Sequence, residues 1–321
     1  MAAEQRLTKN ERREQAREQA RLAREAEKKR EKRNRLYLQG GVVLGVLAIL
    51  AVVALVLTQS MKPAGPGPEN MVSGGVTFTK DLKVVPTPAL ASGEDRPAVE
   101  ADFDSMPIDV TVFADYMCPA CGSFEQTYGT MLEQYVGAGD VQLTVYPINF
   151  LDSMSVGSKY STRAGNLMAC VVEQQPDHAF SLHNRLLSAA VQPQEGTTGL
   201  SDDQLVEEAA AAGADANTEL KQCVKDQRFA SFINSNTKQA LEVGITGLAD
   251  GARLLKPSQT QLSGTNDEDF QPADEPQRVT STPTVLVNGQ QWYSPRDGDL
   301  EAYLNKIKST LEGAATGNTE G

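Results

Sequence analysis

The chain has little cysteine and almost no histidine: four cysteines and two histidines occur among its 321 residues. Four cysteines form at most two disulfides, too few to staple a domain of this size, so a hydrophobic core must stabilise the fold. A structural zinc site needs four clustered ligands. Cys118 and Cys121 supply one closely spaced pair, but Cys170 and Cys223 are 53 residues apart and neither lies in a C-x-x-C motif, and the chain has only two histidines, His178 and His183. We therefore expect no metal site and no cofactor.

Charge is unevenly distributed along the chain. Residues 1–36 carry 13 basic and 7 acidic side chains, whereas the remainder carries 17 basic and 35 acidic ones. The acidic body argues against nucleic-acid binding, which requires a basic surface. The basic N-terminal segment, residues 1–36, contains side chains of both charges and lacks glycine and proline over residues 4–35. This pattern is typical of an exposed, charged helix.

Charged side chains are absent from residues 36–61, and most of this stretch is Val, Leu, Ala, Ile or Gly. About 20 apolar residues cross a bilayer as a helix, so we predict a membrane span over residues 38–58 and a linker over 59–70. A cleaved signal peptide fits less well, because the basic segment before the run is long and the run exceeds a usual signal core. The basic excess places the tail, residues 1–37, in the cytoplasm.

The remaining chain is predicted to be one domain, residues 71–312, followed by a disordered polar tail, residues 313–321. Its apolar spacing predicts strands and helices in the order β-α-β, a helical block, then β-β-α. The predicted elements are one or two short strands within 76–85, strand 108–114, helix 118–135, strand 141–146, a helical block over 156–243, a hairpin over 285–293 and a helix over 300–311.

Cys118-Pro-Ala-Cys121 stands where a buried strand ends and a helix begins. A thiol at a helix start is close to free backbone N–H groups and to the positive end of the helix dipole, both of which stabilise a thiolate. Pro119 suits the first helical position. A purely structural disulfide between Cys118 and Cys121 is disfavoured, because so short a loop constrains the unfolded chain very little. The pattern indicates a redox centre.

A second feature is the loop Thr282-Pro283, directly before the apolar stretch Val285–Val287. On its own, Pro283 is most simply an ordinary turn proline. Together with the cysteine pair upstream of a helical block, a cis-proline loop is favoured, since proline is the residue that commonly adopts a cis bond. Such a loop would lie across from the cysteines and offer backbone groups to an extended peptide.

The other two cysteines, Cys170 and Cys223, fall on predicted helices of the block. An even pair on the outer side of a membrane predicts a structural disulfide; two buried free thiols are the alternative. Closing a loop of this length would stabilise the fold by about 4 kcal/mol. His178 and His183 lie near the start of one helix, where packing or capping is favoured over a role in a redox site.

The chain resembles the DsbA-like thiol–disulfide oxidoreductases, in a membrane-tethered form, over about residues 105–312. The matching segments are Asp115-Tyr-Met-Cys-Pro-Ala-Cys-Gly-Ser-Phe124, Phe150-Leu-Asp152, Tyr160-Ser-Thr-Arg-Ala-Gly-Asn166 and Thr282-Pro-Thr-Val-Leu-Val-Asn-Gly289. The resemblance implies an α/β thioredoxin fold with a helical insertion over 156–243. It also implies that Cys118 is the exposed nucleophile of low pKa, Cys121 its buried resolving partner, Pro283 the cis-proline and Thr282 the substrate-facing residue.

The function that the resemblance implies is disulfide formation in exported proteins that carry cysteine pairs, outside the cell membrane. Reoxidation would come from a membrane partner of the DsbB or vitamin K epoxide reductase type, and the tether would raise the effective concentration of that partner. A reductant or isomerase on the same fold, for example in cytochrome maturation, is the first alternative. A redox-inert binding module is the second, disfavoured because Cys118, Cys121 and Pro283 are all present.

The sequence departs from the best-known family pattern in two places. No histidine stands between the cysteines, which removes one source of thiolate stabilisation. The link before Thr282 is also unusually long and acidic over residues 248–278. Long loops in compact domains are often functional. We expect this acidic loop to border the peptide groove and tune the choice of substrate; a tolerated surface insertion is the alternative.

Overall fold

The computed structural model describes residues 21, 24, 28, 29, 66–97, 108–258 and 261–317, with backbone alone for 314–317. The chain divides into two units, Met1–Lys62 and Pro63–Gly321, and all elements named below belong to the second. The four described residues of the first unit are helical and exposed. The predicted span at 38–58 lies outside the described residues, and none of the helices within them is long and apolar enough to cross a membrane.

A six-stranded sheet forms the centre of the second unit, in the order β2-β1-β4-β3-β5-β6. The strands are β1 (Val76–Thr79), β2 (Lys83–Val84), β3 (Ile108–Ala114), β4 (Val141–Pro147), β5 (Thr284–Val287) and β6 (Gln290–Trp292). β3 and β4 are parallel, with Val110 opposite Leu143, and the other neighbours are antiparallel. The central position of β3 places its carboxyl end, and the cysteines that follow, at the middle of one sheet edge.

Helices connect and cover the strands. They are α1 (Pro119–Ala138), α2 (Tyr160–Gln174), α3 (Ala179–Leu186), α4 (Asp202–Ala211), α5 (Thr218–Lys225), α6 (Ala230–Lys238), α7 (Ser294–Asp297) and α8 (Leu300–Gly317). Short 3-10 turns span Lys80–Leu82, Asp152–Met154, Pro176–His178 and Asp267–Asp269, and a π-turn spans Gln239–Val243. The order β3-α1-β4, then α2–α6, then β5-β6-α8 confirms the thioredoxin fold with a helical insertion.

The last helix is longer than the sequence indicated. α8 continues to Gly317, whereas a disordered tail was predicted from residue 313. That prediction was wrong for residues 313–317, because the stretch was taken for a polar, disordered tail although two alanines follow Gly313, and alanine has the highest helix propensity. Residues 318–321 lie outside the described part of the chain.

The sheet is buried on both faces. One face packs with α1, α8 and the helical insertion into the main core, which contains Val110 and Val112 of β3. The opposite face holds a smaller cluster that includes Phe113, Ile148 and Leu286. Leu254, from the long link before Thr282, is 1 % exposed and belongs to this second cluster. Part of the acidic link therefore covers the sheet.

The helical insertion is cross-linked. Cys170 of α2 and Cys223 of α5 are completely buried and form a disulfide, with an S–S distance of 2.03 Å. α4 begins with a capping box, in which the Ser201 hydroxyl accepts the Gln204 N–H at 3.2 Å and the Gln204 side chain accepts the Ser201 N–H at 2.9 Å. Capping satisfies N–H groups that have no intrahelical partner.

Candidate active site

The turn between β3 and α1 holds the cysteine pair. Cys118 is the N-cap residue of α1 in an extended conformation, and Pro119 occupies the first helical position. The Cys118 N–H donates to the Asp115 carbonyl at 3.0 Å, and the Cys118 carbonyl accepts the Gly122 N–H at 3.1 Å. Cys118 thus stands at the start of α1, where the first N–H groups of the helix have no intrahelical partner, as the sequence predicted.

Cys118 and Cys121 are both free thiols. Cys118 is 7 % exposed and Cys121 is 1 % exposed, so Cys118 is the more accessible sulfur but is less open than the sequence suggested. The cover comes from the loop before β5, because the Cys118 Sγ donates to the Thr282 carbonyl at 3.3 Å. Pro119 and Ala120 between the cysteines are exposed.

The two thiols differ in acidity. The pKa of Cys118 is lowered to about 6, chiefly by a hydrogen bond from the Cys121 thiol, with further help from Thr282 and from the backbone N–H groups of Cys121 and Ala120; burial opposes the shift. The pKa of Cys121 is raised well above its ordinary value, first by burial and then by the neighbouring Cys118. At neutral pH the pair therefore holds one thiolate, on Cys118, and one thiol, on Cys121.

The contact with Thr282 joins residues that are 164 positions apart. The Thr282–Pro283 bond is cis, as predicted, and Thr282 itself is 9 % exposed. Among the described residues, none accepts a hydrogen bond from the Thr282 N–H. The loop before β5 thus lies directly against the cysteine pair and retains a backbone donor at that position.

Asp115 holds the active-site turn in place through hydrogen bonds on its buried side. It is completely buried, and its Oδ1 accepts the Met117 N–H at 2.8 Å and the Ser161 hydroxyl at 2.7 Å. Its Oδ2 accepts the Leu151 N–H at 2.8 Å. Burial raises the pKa of Asp115 to about 6 against the effect of these hydrogen bonds, and the nearby Cys118 also raises it. Asp115 thus ties the turn to α2 and to the loop after β4.

Gln192 approaches the site from the insertion, after α3. Its Nε2 donates to the Cys118 carbonyl at 2.8 Å. Its Oε1 occupies the space next to Gly122, where a Cβ atom would lie only 2.0 Å away. No local sequence pattern indicates this contact, because Gln192 lies in an irregular segment 74 residues from Cys118.

A buried polar chain lies behind the cysteines. The Tyr116 hydroxyl is 3.2 Å from Nδ1 of His183, and Nε2 of His183 is 3.4 Å from the Glu125 carboxylate. All three residues are less than 10 % exposed. His183 therefore links both flanks of the cysteine motif to α3, a role beyond the packing or capping that its sequence position favoured.

Metal binding finds no support in the described part of the chain, where no group of three or more His, Cys, Asp or Glu side chains could hold an ion. The pair formed by Cys170 and Cys223 is separate from Cys118 and Cys121, since each of its sulfurs is already in the disulfide.

Comparisons with known proteins agree with this geometry. Residues 105–248 match the protein family described as Thioredoxin. A segment of 111 residues is 31% identical to the serine/threonine-protein kinase PknE of Mycobacterium tuberculosis; it covers 34% of this chain and 20% of the kinase. The matched segment thus spans about a fifth of the length of that relative.

Two solved structures from Mycobacterium tuberculosis are also similar. The reduced disulfide bond oxidoreductase DsbG has 25% sequence identity and a TM-score of 0.47, covering 77% of this chain and 89% of DsbG. Oxidised DsbA has 24% identity and a TM-score of 0.47, covering 73% of this chain and 91% of DsbA.

The family match includes the β3-α1-β4 unit and most of the insertion, and the structure adds the contact between Cys118 and the loop before β5. A thiol of lowered pKa paired with a buried thiol of raised pKa is the arrangement that thiol–disulfide exchange requires. The domain has a thioredoxin fold interrupted by a helical insertion, it matches the thioredoxin family over residues 105–248, and its two cysteines have the geometry of a thiol–disulfide exchange site.

Proposed function

We propose that this chain is a membrane-anchored, extracytoplasmic oxidoreductase that forms disulfides in exported proteins through Cys118 and Cys121. The observation that carries the proposal is the opposite shift of the two thiol pKa values, about 6 for Cys118 and well above the ordinary value for Cys121. A stabilised thiolate favours the reduced form of the pair, and a pair that is stable when reduced oxidises its substrates.

The reaction begins with the oxidised pair. A substrate thiolate attacks the Cys118 sulfur, the bond between Cys118 and Cys121 breaks, and Cys121 leaves with the electron pair and takes up a proton because its pKa is high. The second substrate thiolate then attacks the substrate sulfur of the mixed disulfide, and Cys118 leaves as a thiolate, which its low pKa makes a good leaving group. The substrate loses two electrons, and the pair gains them.

Backbone pairing supports a polypeptide substrate. The Thr282 N–H has no acceptor among the described residues, and the Thr282 carbonyl lies 3.3 Å from the Cys118 sulfur. An extended segment on either side of a substrate cysteine would find there the strand-like hydrogen bonds by which sheet edges bind peptides.

Three features support a position outside the cytoplasm. The Cys170–Cys223 disulfide is of the kind that persists in oxidising compartments. The uncharged stretch over residues 36–61 has the length of a membrane span, and the basic segment before it favours a cytoplasmic N-terminus. A quinone-linked membrane partner of the DsbB or vitamin K epoxide reductase type would reoxidise Cys118 and Cys121 in this arrangement.

The reduction potential of the pair decides the direction of electron flow. A pKa of about 6 for Cys118 lies between the values of about 7 in thioredoxin and about 3.5 in DsbA. We therefore expect a potential between about −270 mV and about −120 mV, measured by equilibration with glutathione. A value at or below about −270 mV would contradict the oxidant assignment and favour the reductase alternative.

A trapping experiment separates an exchange enzyme from a binding module. In the Cys121→Ala variant the mixed disulfide between Cys118 and a substrate is not resolved internally, so it should accumulate with reduced exported proteins under mild oxidation. The Cys118→Ala variant is the matched control and should trap nothing. Failure of Cys121→Ala to trap any exported protein would favour the binding module.

A further inference from the structure

A groove next to the cysteine pair begins at Pro283. Its volume is about 640 Å³, and three segments line it: the loop before β5, the residues from β6 into α7, and part of the long link, residues 255–258 and 262. The first segment contributes Pro283, the second Trp292 and Tyr293, and the link contributes Leu255 and Lys256. The link therefore borders the groove, as the sequence predicted.

The part of the link that borders the groove is fixed to the hairpin. The Leu255 N–H donates to the Gln291 side chain at 2.7 Å, and the Leu255 carbonyl accepts the Thr280 hydroxyl at 3.2 Å. The Tyr293 hydroxyl donates to the Leu262 carbonyl at 2.9 Å. Because these bonds come from both other walls, the groove has a defined shape before any peptide binds.

Two acidic side chains of the link, Asp267 and Asp269, bond to other groups of the link. Asp269 is 7 % exposed and accepts the Ser263 hydroxyl and the Gly264 N–H at 2.5 and 2.9 Å. Asp267 pairs with Arg253 at 2.5 Å. No aspartate or glutamate is among the described residues that line the groove.

Lys256 is therefore the one charged side chain among the described lining residues. It is exposed, and none of the ion pairs within the described residues involves it. Residues 37–321, Lys256 included, carry 18 more acidic than basic side chains. This lysine is therefore a local positive charge on a negatively charged domain. Charge complementarity at such a position selects partners of the opposite sign.

We propose that the groove binds the polypeptide segment that flanks a substrate cysteine, and that Lys256 selects segments with an aspartate or glutamate there. This inference rests on the proposed function, since it names the class of substrate for Cys118. The long link would thus act through one lysine and an otherwise uncharged wall.

The test measures capture of peptides by Cys118 in the full chain carrying Cys121→Ala. Each peptide has one cysteine activated as a mixed disulfide with thionitrobenzoate. The Cys118 thiolate attacks the peptide sulfur and the coloured thionitrobenzoate leaves, so the rate is read directly and needs no redox partner. A single aspartate, asparagine or lysine is placed at each of the four positions on either side of the cysteine.

At a peptide position that lies next to Lys256, the peptide with aspartate should react about threefold faster than the peptide with asparagine at low salt, which is the effect of one exposed charge pair. Lys256→Glu should reverse the preference toward lysine, and salt should abolish it. Lys221→Glu, an equal charge change at an exposed lysine of α5 outside the groove, should leave it unchanged. An aspartate preference that survives Lys256→Glu, or none at any position, would overturn the inference.

The same peptides separate this inference from the proposed function. If the neutral peptide is captured normally but no charge preference exists, the groove assignment fails and the oxidoreductase remains. If the charge preference is present but the wild-type pair has a potential at or below that of thioredoxin, about −270 mV, the groove assignment stands and the direction of electron flow is reversed.

Discussion

Gly122→Ala is the substitution whose effect the structure defines most sharply. A Cβ atom at this position would lie 2.0 Å from Oε1 and 2.8 Å from Cδ of Gln192, so the glutamine must withdraw. Its hydrogen bond to the Cys118 carbonyl, 2.8 Å long, is then lost, while that carbonyl keeps the Gly122 N–H. The perturbation therefore removes the contact between the insertion and the cysteine turn.

The magnitude follows from three contributions. Loss of the hydrogen bond costs about 1 kcal/mol. Crowding costs about 1 to 3 kcal/mol, at the low end here because Gln192 is a flexible, half-buried side chain. Replacing glycine by alanine within α1 stabilises the helix by up to about 1 kcal/mol, because alanine has the higher helix propensity. The net expectation for Gly122→Ala is a loss of about 1 to 2 kcal/mol in the free energy of unfolding.

A double-mutant cycle makes this reasoning falsifiable. In the Gln192→Ala background the clash is absent, so Gly122→Ala should stabilise by up to about 1 kcal/mol instead of destabilising. Urea unfolding of the oxidised form measures all four proteins. Gly137→Ala in the same helix, where the nearest atom is 4.0 Å from the added carbon, is the matched control and should not destabilise.

An equal destabilisation by Gly122→Ala in both backgrounds would refute the role assigned to Gln192. A loss in the wild-type background that turns into a gain without Gln192 would establish that the side chain and the glycine are coupled. The thiolate absorbance of Cys118 provides a second readout, because a displaced cysteine turn changes the hydrogen bonds that lower its pKa.

Three further predictions concern the titrating groups and the second cysteine pair. Titration of the thiolate absorbance should give a pKa of about 6 for Cys118. The Asp115→Asn variant should have a still lower Cys118 pKa, because the negative charge of Asp115 is close enough to repel the Cys118 thiolate. An unchanged or higher Cys118 pKa in the variant would contradict this repulsion. The pKa of Cys118 is lower in the folded than in the unfolded reduced protein. The Cys118 thiolate therefore stabilises the folded reduced protein, fully above about pH 9 and no longer once the pH has fallen through about 6. The reduced form, relative to the oxidised form, should therefore gain about 3 to 4 kcal/mol in denaturant unfolding between pH 6 and 9, and a flat difference would refute the assignment. Replacing both Cys170 and Cys223 by alanine should lower the free energy of unfolding by about 4 kcal/mol, the value for a loop of this length, and a loss below about 1 kcal/mol would show that the insertion does not depend on the bond.

Most of the fold was predictable because its elements have strong local signals. β3 has apolar residues at alternate positions, and α1 begins at a proline and is followed by Gly139, in the left-handed conformation that glycine favours. The cysteine pair was recognisable from its spacing at that junction. The end of α8 was missed because the polar composition of the tail was given more weight than its two alanines.

The contacts around the cysteines were less predictable. Gln192, His183 and Glu125 come from segments whose local patterns show nothing about a redox site, and only the tertiary fold brings them to Cys118 and Tyr116. The acidic link was recognised as unusual, but its composition concealed its role. Two of its carboxylates, Asp267 and Asp269, bond to neighbouring groups, and an apolar residue, Leu254, covers the sheet.

The complete burial of Cys170 and Cys223 has a consequence for catalytic turnover. Thiol–disulfide exchange requires a thiolate to reach a sulfur, and neither sulfur of this bond is accessible in the folded domain. Substrate thiols and glutathione can therefore exchange only with Cys118. The four cysteines could pair in three ways, and the folded domain prevents scrambling among them however many times the Cys118–Cys121 pair is oxidised and reduced. The Cys118–Cys121 pair can thus change its redox state while the Cys170–Cys223 disulfide keeps its own.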